Sequence, residues 1–350
     1  MTPIDHTRAT VEQLAEFDTI IDARSPAEFA EDHVPGAINC PVLDNEQRII
    51  VGTLYKQSSP FDARKIGAVM VARNVAMHIE QHFADKPKGW KPLVYCWRGG
   101  QRSGAFTHIL REVGWSARRL QGGYKSWRQH VIEQLELVPK PLRFTVVAGP
   151  TGSAKTRVLE AMQAQGQQVL NLEALAAHKG SVLGDLPGQP QPSQKMFETR
   201  VLSVLQGFDA ARAVYVESES KRIGQLRVPD AVFQGIQDGN WLRVQATMAQ
   251  RVQFLLRDYD YFLSGPELVQ QLERLKESCG GVAIERWKQL VQARDFATLV
   301  GELLEQHYDR FYLRSMNRHA EGASHLGFDT DDLSDAGIAD LARRLAAANG

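Results

Sequence analysis

Two strand-loop-helix units stand out in the pattern of apolar and polar positions. In the first, the apolar run LVYC (93–96) predicts a buried strand, and SGAFTHILREVGW (103–115) has the apolar spacing of a helix. In the second, FTVVAG (144–149) predicts a strand, and RVLEAMQAQG (157–166) predicts a helix that stops at its final glycine. Strands that alternate with helices are typical of parallel sheets with crossover helices, so both units predict an α/β fold.

The segment between these units predicts a domain boundary. ELVPKPLR (136–143) contains two prolines, which disfavour helix on either side, and we place the linker near residues 137–142. The predicted organisation is an N-terminal α/β domain over 1–137, a second α/β domain over 138–240, and a mostly helical extension of that domain over 241–350.

Composition and charge narrow the classes of protein. At roughly 150 residues per domain, a chain of 350 residues has room for about two domains. Three cysteines without a C-x-x-C pair argue against a zinc site or a disulfide framework. No apolar run approaches the ~20 residues of a membrane span, and the N-terminus has no signal core, so we expect a cytoplasmic protein without membrane contact. Because 41 basic residues balance 41 acidic ones, a nucleic acid would be held by local basic surface.

Cys96 lies at the end of the first predicted strand, before a loop rich in glycine and arginine. The glycines allow backbone N–H groups to turn inward, and the following helix N-terminus adds partial positive charge. Such a cradle favours a reactive thiolate and can hold a tetrahedral anion beside the sulfur. We therefore predict Cys96 as the catalytic residue. The predicted anion-binding residues are Arg98, Gly99, Gly100, Gln101 and Arg102.

The sequence GPTGSAKT (149–156) follows the second predicted strand and opens a helix, as a Walker A phosphate loop does. It departs from that pattern at Ala154, where glycine is usual, and alanine is small enough to keep the backbone near a phosphate if its φ is negative. Lys155 would neutralise the outer phosphate, and Thr156 could bind Mg²⁺. The predicted phosphate-loop residues are Gly149, Thr151, Gly152, Ser153, Ala154, Lys155 and Thr156.

A further apolar run, AVYVESES (213–220), predicts a strand that ends in acidic residues. Glu217 and Glu219 are candidates for a general acid or base, or for ligands of Mg²⁺. A charged strand end at the surface explains them equally well.

Two stretches around the cysteine loop resemble the rhodanese domain. IIDARSPAEFAEDHVPGAINCP (20–41) resembles its signature, and LQGGYKSW (120–127) resembles its closing segment, so the resemblance covers about residues 8–135. The C-x5-R spacing from Cys96 to Arg102 is one residue longer than in common sulfur-transfer rhodaneses and equals that of a group of cysteine phosphatases. The longer loop suggests a larger anion, such as a phosphate-bearing donor.

The whole chain resembles the bacterial tRNA 2-selenouridine synthase family. Beyond the two loops, HKGSVLG (178–184), QPSQKMFE (191–198), VESESKRIG (216–224) and HYDRFYLRS (307–315) carry this resemblance. It implies a transferase that S-geranylates wobble 2-thiouridine with geranyl diphosphate and then replaces the S-geranyl group with selenium from selenophosphate. It also implies a selenopersulfide (S-selanylcysteine) on Cys96 and no tightly bound cofactor, with Mg²⁺ optional. The implied partners are tRNA and a selenophosphate-supplying enzyme, and we expect a monomer.

Arginines in two regions are candidates for tRNA binding. Arg310, Arg314 and Arg318 recur on one face of a predicted helix, interleaved with aromatic residues that could stack on bases. Arg128 belongs to a stretch over 111–143 with seven basic and three acidic residues. A solvated helix face over an aromatic core explains the first set equally well.

Two alternative functions stay open at this point. A C-x5-R cysteine phosphatase fused to a kinase-like domain would release phosphate from an aryl phosphate in a reaction that depends on Cys96. A non-catalytic tRNA-binding sulfur carrier would bind tRNA and leave its nucleosides unchanged.

Overall fold

The computed structural model describes residues 7–181, 183–218, 220–259, 263, 268–310, 312 and 325–348. The chain divides into two compact units. The first comprises Met1–Gln134 and Pro192–Ser203, and the second comprises Leu135–Gln191 and Val204–Gly350. Both are α/β, as the sequence predicts.

Within the described residues, the first unit contains a five-stranded, fully parallel sheet with the strand order β1-β5-β4-β2-β3. A 3₁₀ helix follows β1, and a π-helical turn follows α3. The strands are β1 (Arg8–Ala9), β2 (Thr19–Asp22), β3 (Ile38–Asn39), β4 (Pro92–Tyr95) and β5 (Arg118–Leu120). The helices are α1 (Pro26–Glu31), α2 (Asn45–Gln57), α3 (Pro60–His78), α4 (Gln101–Val113) and α5 (Tyr124–Leu137).

Apolar packing against this sheet fixes the position of β4. All four residues of β4 are buried, as expected for a central strand of a parallel sheet. Val94 packs in one core with Phe106 of α4. In the same core Trp90 meets Trp115 edge to face, with ring centroids 5.1 Å apart. Cys96 follows the last residue of β4, and this packing therefore holds it at the carboxyl end of the central strand.

Within the described residues, the second unit contains another fully parallel sheet, with the order β12-β11-β6-β8-β7. Two short strands form a separate antiparallel ladder. The strands are β6 (Arg143–Ala148), β7 (Gln168–Leu170), β8 (Ala213–Glu217), β9 (Arg222–Ile223), β10 (Leu226–Arg227), β11 (Asn240–Ala246) and β12 (His325–Thr330).

The helices after α5 follow in chain order. Helix α8 begins within the stretch that belongs to the first unit, and the others lie in the second unit. They are α6 (Lys155–Ala164), α7 (Leu172–Ala176), α8 (Gln194–Leu205), α9 (Asp230–Gln237), α10 (Met248–Asp258), α11 (Leu268–Glu273), α12 (Lys276–Cys279), α13 (Gly281–Gln292), α14 (Phe296–Leu303) and α15 (Asp335–Ala347). A π-helical turn, Leu304–Tyr308, continues α14. No helix among the described residues combines the length and apolarity needed to cross a membrane.

The region after residue 240 is mostly helical, as predicted, but it also supplies β11 and β12. These two strands extend the sheet beyond β6 and were not predicted from the sequence. Helix α15 then packs against α6, with Leu341 and Leu345 in the same core as Val158. The C-terminal region therefore completes the sheet domain in addition to extending it with helices.

Helices α11 to α14 enclose a second apolar core in this unit. Trp287 is fully buried there, and its indole N–H donates to Glu302 at 3.1 Å. Val300 and Leu303 of α14 belong to the same core. Of these helices, α14 supplies apolar surface close to the phosphate loop.

Candidate functional site

The cysteine loop connects β4 to α4, as the sequence predicts. Cys96 is only 3% exposed, and its sulfur accepts a hydrogen bond from the Ser103 hydroxyl at 3.2 Å. Gly99 adopts a φ of +65°, which turns the chain into α4 at Gln101. The loop residues Arg98, Gly100 and Gln101 are exposed. A buried sulfur therefore lies beneath a loop whose polar groups remain accessible to an anion.

The glycine turn directly before α5 contacts the cysteine loop through its backbone. The backbone N–H of Tyr124 donates to the Cys96 carbonyl at 2.8 Å, and that of Lys125 donates to the Trp97 carbonyl at 3.0 Å. A Cβ atom on Gly123 would lie 2.3 Å from the Cys96 carbonyl oxygen, so only glycine fits. This contact explains why the segment LQGGYKSW accompanies the cysteine loop.

Arg102, the arginine of the C-x5-R spacing, is bound by a carboxylate. Its two terminal nitrogens donate to Glu28 at 2.6 and 3.2 Å, and Arg102 is 18% exposed. Burial opposes ionisation of Glu28, but the hydrogen bond and charge of Arg102 outweigh it and lower the Glu28 pKa. An incoming anion would have to share Arg102 with Glu28, whereas Arg98 is exposed.

A buried ion pair supports the Tyr124 side of this site. Arg24 contacts Asp22 at 2.6 Å and donates to the Asp32 carbonyl at 2.6 Å. Its guanidinium lies 3.9 Å from the centroid of the Tyr124 ring, and the Tyr124 hydroxyl donates to the Asp32 carboxylate. Asp22 and Arg24 belong to the stretch that resembles the rhodanese signature. They thus help to fix Tyr124, whose backbone N–H binds the cysteine loop.

The phosphate loop connects β6 to α6, also as predicted. Gly152 has a φ of +84°, and the Ser153 hydroxyl donates to the Pro150 carbonyl at 2.8 Å. Ala154 has a φ of 58°, so the condition of a negative φ is not met. The loop turns abruptly into α6, and Ala154 takes the left-handed conformation that glycine adopts more easily. This conformation costs an alanine roughly 1–2 kcal/mol.

Two carboxyl groups meet at the hydroxyl of Thr156. Its oxygen lies 2.9 Å from Glu217 and 3.0 Å from Glu173. A hydroxyl has one hydrogen, so both contacts are hydrogen bonds only if one carboxyl is protonated and donates in turn. The ammonium group of Lys155 lies 3.4 Å from the Glu217 carboxylate and not against Glu173. Glu173 therefore carries the proton, and burial together with the charge of Glu217 raises its pKa to about 8.

A buried arginine links the phosphate loop to the turn after α14. The Arg251 side chain donates to the Thr151 carbonyl at 2.7 Å and to both carboxylate oxygens of Asp309, at 2.6 and 3.0 Å. Arg251 is 5% exposed. Such a bidentate pair fixes the loop carbonyl with well-defined geometry.

A cavity of about 640 Å³ opens beside the phosphate loop. Gly149, Lys155, Thr156, Glu173 and Glu217 line its polar part. Side chains from α10, α14 and the turn after α14 supply an apolar part. These side chains are Phe254, Leu255, Val300, Leu303 and Leu304.

Comparisons with known proteins identify the family of this chain. A family model described as a rhodanese-like domain matches residues 7–130, and one described as the tRNA 2-selenouridine synthase AAA domain matches residues 142–333. The chain belongs to the tRNA 2-selenouridine synthase family. This confirms the family resemblance and the fold class expected from the sequence.

Several curated relatives bear the name tRNA 2-selenouridine synthase. The protein from Nitrosomonas europaea is 35% identical over 74% of this chain and 67% of its own length. Those from Alcanivorax borkumensis and Chromohalobacter salexigens are 32% and 31% identical, over 86% and 88% of this chain and 90% and 91% of their own lengths.

The remaining candidates from the sequence are Glu219 and the four arginines predicted to bind tRNA. Glu219, Arg314 and Arg318 lie outside the described residues, and Arg310 is exposed. Arg128 forms an ion pair with Glu198, which counts against a direct phosphate contact. Binding of tRNA by these residues stays a prediction. Among the described residues, no group of three or more His, Cys, Asp or Glu side chains could hold a metal ion.

Three residues of the two sites were not predicted from the sequence. Glu173 lies in NLEALAA, which has the pattern of an ordinary amphipathic helix, and Arg251 lies in a helix 100 residues from its loop partner. Glu28 lies in the stretch that resembles the rhodanese signature, 74 residues from Arg102. Local spacing contains no signal for such distant pairs.

Proposed function

We propose that this chain converts 2-thiouridine in tRNA to 2-selenouridine in two steps, with S-geranylation at the phosphate loop and selenation at Cys96. The observation that carries this proposal is that one chain of this family holds both a buried cysteine beneath an exposed loop of glycine and arginine and a phosphate loop beside a partly apolar cavity. The names of the curated relatives support the overall conversion. The division of the two steps between the two sites is our own assignment.

The first step makes the sulfur of the nucleoside a better leaving group. The thiocarbonyl sulfur attacks C1 of geranyl diphosphate, so that a C–S bond forms, a C–O bond breaks and diphosphate departs. The N3 proton of the nucleoside is lost. Lys155 and the backbone N–H groups at the start of α6 would stabilise the negative charge that develops on the departing diphosphate.

The oxygen atoms at Thr156 fit a hard divalent cation. Thr156 and Glu217, whose oxygens are 2.9 Å apart, are the kind of ligands that Mg²⁺ takes together with phosphate oxygens. They would hold the ion, which would supply further positive charge to the diphosphate. Within the described residues a complete protein ligand set is absent, so substrate oxygens would complete the coordination.

The second step replaces the alkylated sulfur at C2. A selenium nucleophile adds at C2, a C–Se bond forms, the C–S bond breaks, and geranylthiol leaves with a proton. Over the whole step, selenophosphate and water are converted to selenide and phosphate, so no redox change is needed. Cys96 would act as the nucleophile toward selenophosphate, whose phosphate group the loop backbone and Arg98 would bind.

Electron balance distinguishes two forms of the Cys96 intermediate. Attack at phosphorus breaks the P–Se bond without redox change and leaves phosphate on the sulfur. Attack at selenium gives the selenopersulfide implied by the family resemblance, and if phosphate is the product it also requires a two-electron acceptor. Mass spectrometry of the trapped protein separates them, because only the selenopersulfide shows the selenium isotope pattern.

Nucleoside mass spectrometry tests the proposed function. Transfer RNA from cells that lack this gene should contain 2-thiouridine but no 2-selenouridine, and expression of the chain with a selenium source should restore 2-selenouridine. Unchanged nucleosides in the complemented cells would contradict the proposal and return the chain to the role of a tRNA-binding carrier. The phosphatase alternative is disfavoured because Glu28 binds the arginine that would have to hold the phosphate.

A further inference from the structure

We propose that the apolar part of the second-unit cavity binds the aliphatic chain of a prenyl diphosphate, with its diphosphate on the phosphate loop. This inference rests on the proposed geranylation step and adds the position of the chain. The cavity of about 640 Å³ is within the size range of small-molecule sites, roughly 300–1,000 Å³.

One end of the cavity is suited to a diphosphate. Lys155 and Lys179 both line it, and both are partly buried. Their contacts with Glu217, at 3.4 Å, and Asp258, at 3.8 Å, are long for charge-assisted hydrogen bonds. Both ammonium groups can therefore turn toward a bound diphosphate without breaking a short ion pair.

The apolar surface begins directly at the phosphate loop. A Cβ atom on Gly152 would lie 3.0 Å from a methyl group of Leu255 in α10. Val300, Leu303 and Leu304 continue the lining, and all three are buried in the core that contains Trp287. A ligand on the loop therefore meets aliphatic side chains next to its phosphate groups.

A phosphate-binding end followed by an aliphatic lining favours a ligand with an aliphatic chain over a nucleotide. The edge of a purine base needs hydrogen-bonding partners in its pocket. Gln237 and His307 also line the cavity, but the side chains of Leu255, Val300, Leu303 and Leu304 in its apolar part offer none. An aliphatic chain needs none, and each buried methylene raises affinity roughly fourfold. The occupant that fits both ends is a diphosphate ester of an aliphatic alcohol.

Titration calorimetry with two matched variants tests this assignment. Val300→Trp fills the apolar part, whereas Ala297→Trp adds the same side chain at an exposed position on the same helix. The wild type should bind geranyl diphosphate about 100-fold or more tightly than inorganic pyrophosphate. Val300→Trp should weaken geranyl diphosphate binding by about tenfold or more and leave pyrophosphate binding within about twofold. Ala297→Trp should change neither.

Each other outcome overturns a defined part of the account. Equal affinity of the wild type for both ligands would contradict the apolar site and the geranylation step together. A preference for geranyl diphosphate that Val300→Trp leaves intact would overturn only the position of the chain. Tighter binding of ATP, lost in Val300→Trp, would identify a nucleotide site. If Val300→Trp also loses pyrophosphate, the smaller Val300→Phe variant decides by the same criterion.

Discussion

The protonated carboxyl of Glu173 leads to a prediction about stability and pH. Glu173 is 7% exposed and shares the Thr156 hydroxyl with the charged Glu217. Glu173→Gln keeps the shape and hydrogen-bonding ability of the protonated acid and cannot ionise. We therefore expect this variant to be more stable than the wild type in neutral and alkaline solution.

The sign and size of the effect follow from the pKa of Glu173. Burial, with the charge of Glu217, raises this pKa from 4.5 to about 8 in the folded state. Between these values the folded protein binds one proton more than the unfolded chain, so its free energy of unfolding falls as pH rises. The free energy of unfolding of the wild type should fall by about 1.4 kcal/mol per pH unit because of this proton. The variant lacks the proton and should not show this slope. From about pH 5.5 to about pH 7.5, the advantage of Glu173→Gln should grow by about 2–3 kcal/mol.

Urea unfolding of both proteins at several pH values measures this difference. Glu160→Gln, at an exposed position on α6, is the control for loss of a carboxylate in the same unit, and we expect it to change stability by under about 0.5 kcal/mol. Infrared spectroscopy should also show a protonated carboxyl band at neutral pH that Glu173→Gln lacks. A stability difference that stays constant with pH, or that shrinks as pH rises, would refute the shared-proton arrangement.

Three further predictions follow from the two loops. Cys96→Ser should abolish selenium incorporation but keep S-geranylation, so that S-geranyl-2-thiouridine accumulates in tRNA; loss of both products from a folded variant would contradict this. Lys155→Ala should slow geranylation roughly 10- to 100-fold, and pre-geranylated tRNA should restore selenation; failure of this rescue would count against separate sites. Ala154→Gly should change the unfolding free energy by under about 1 kcal/mol, because relief of left-handed strain offsets added chain entropy, whereas Ala154→Val should cost more than about 1 kcal/mol in thermal unfolding. Equal effects of Gly and Val would mean that the left-handed conformation is not strained.

The parts of the fold that depend on local pattern could be predicted from sequence. The buried run of β4 and the run of β6 are continuous apolar segments, and each is followed by a glycine-containing loop and an amphipathic helix. Cys96 was therefore placed correctly after the end of β4, and Lys155 in the loop that opens α6. Neither placement needs knowledge of a distant residue.

The parts that depend on distant partners could not be predicted. β11 and β12 pair with each other although about 80 residues separate them in the chain, so strand pattern alone does not show that they belong to one sheet. The position of Glu173 beside Thr156 depends on how β7 ends within the sheet order. Likewise, the backbone of Ala154 is set by how the loop meets α6, which overrides the ordinary preference of alanine.

Reconstitution with purified components tests the central claim most directly. The protein would be incubated with tRNA that contains 2-thiouridine, geranyl diphosphate and selenophosphate, and the nucleosides would be followed by mass spectrometry over time. We expect S-geranyl-2-thiouridine to rise and then fall as 2-selenouridine and free geranylthiol appear in equal amounts. Formation of 2-selenouridine without geranyl diphosphate, or no change in the nucleosides, would contradict the two-site account.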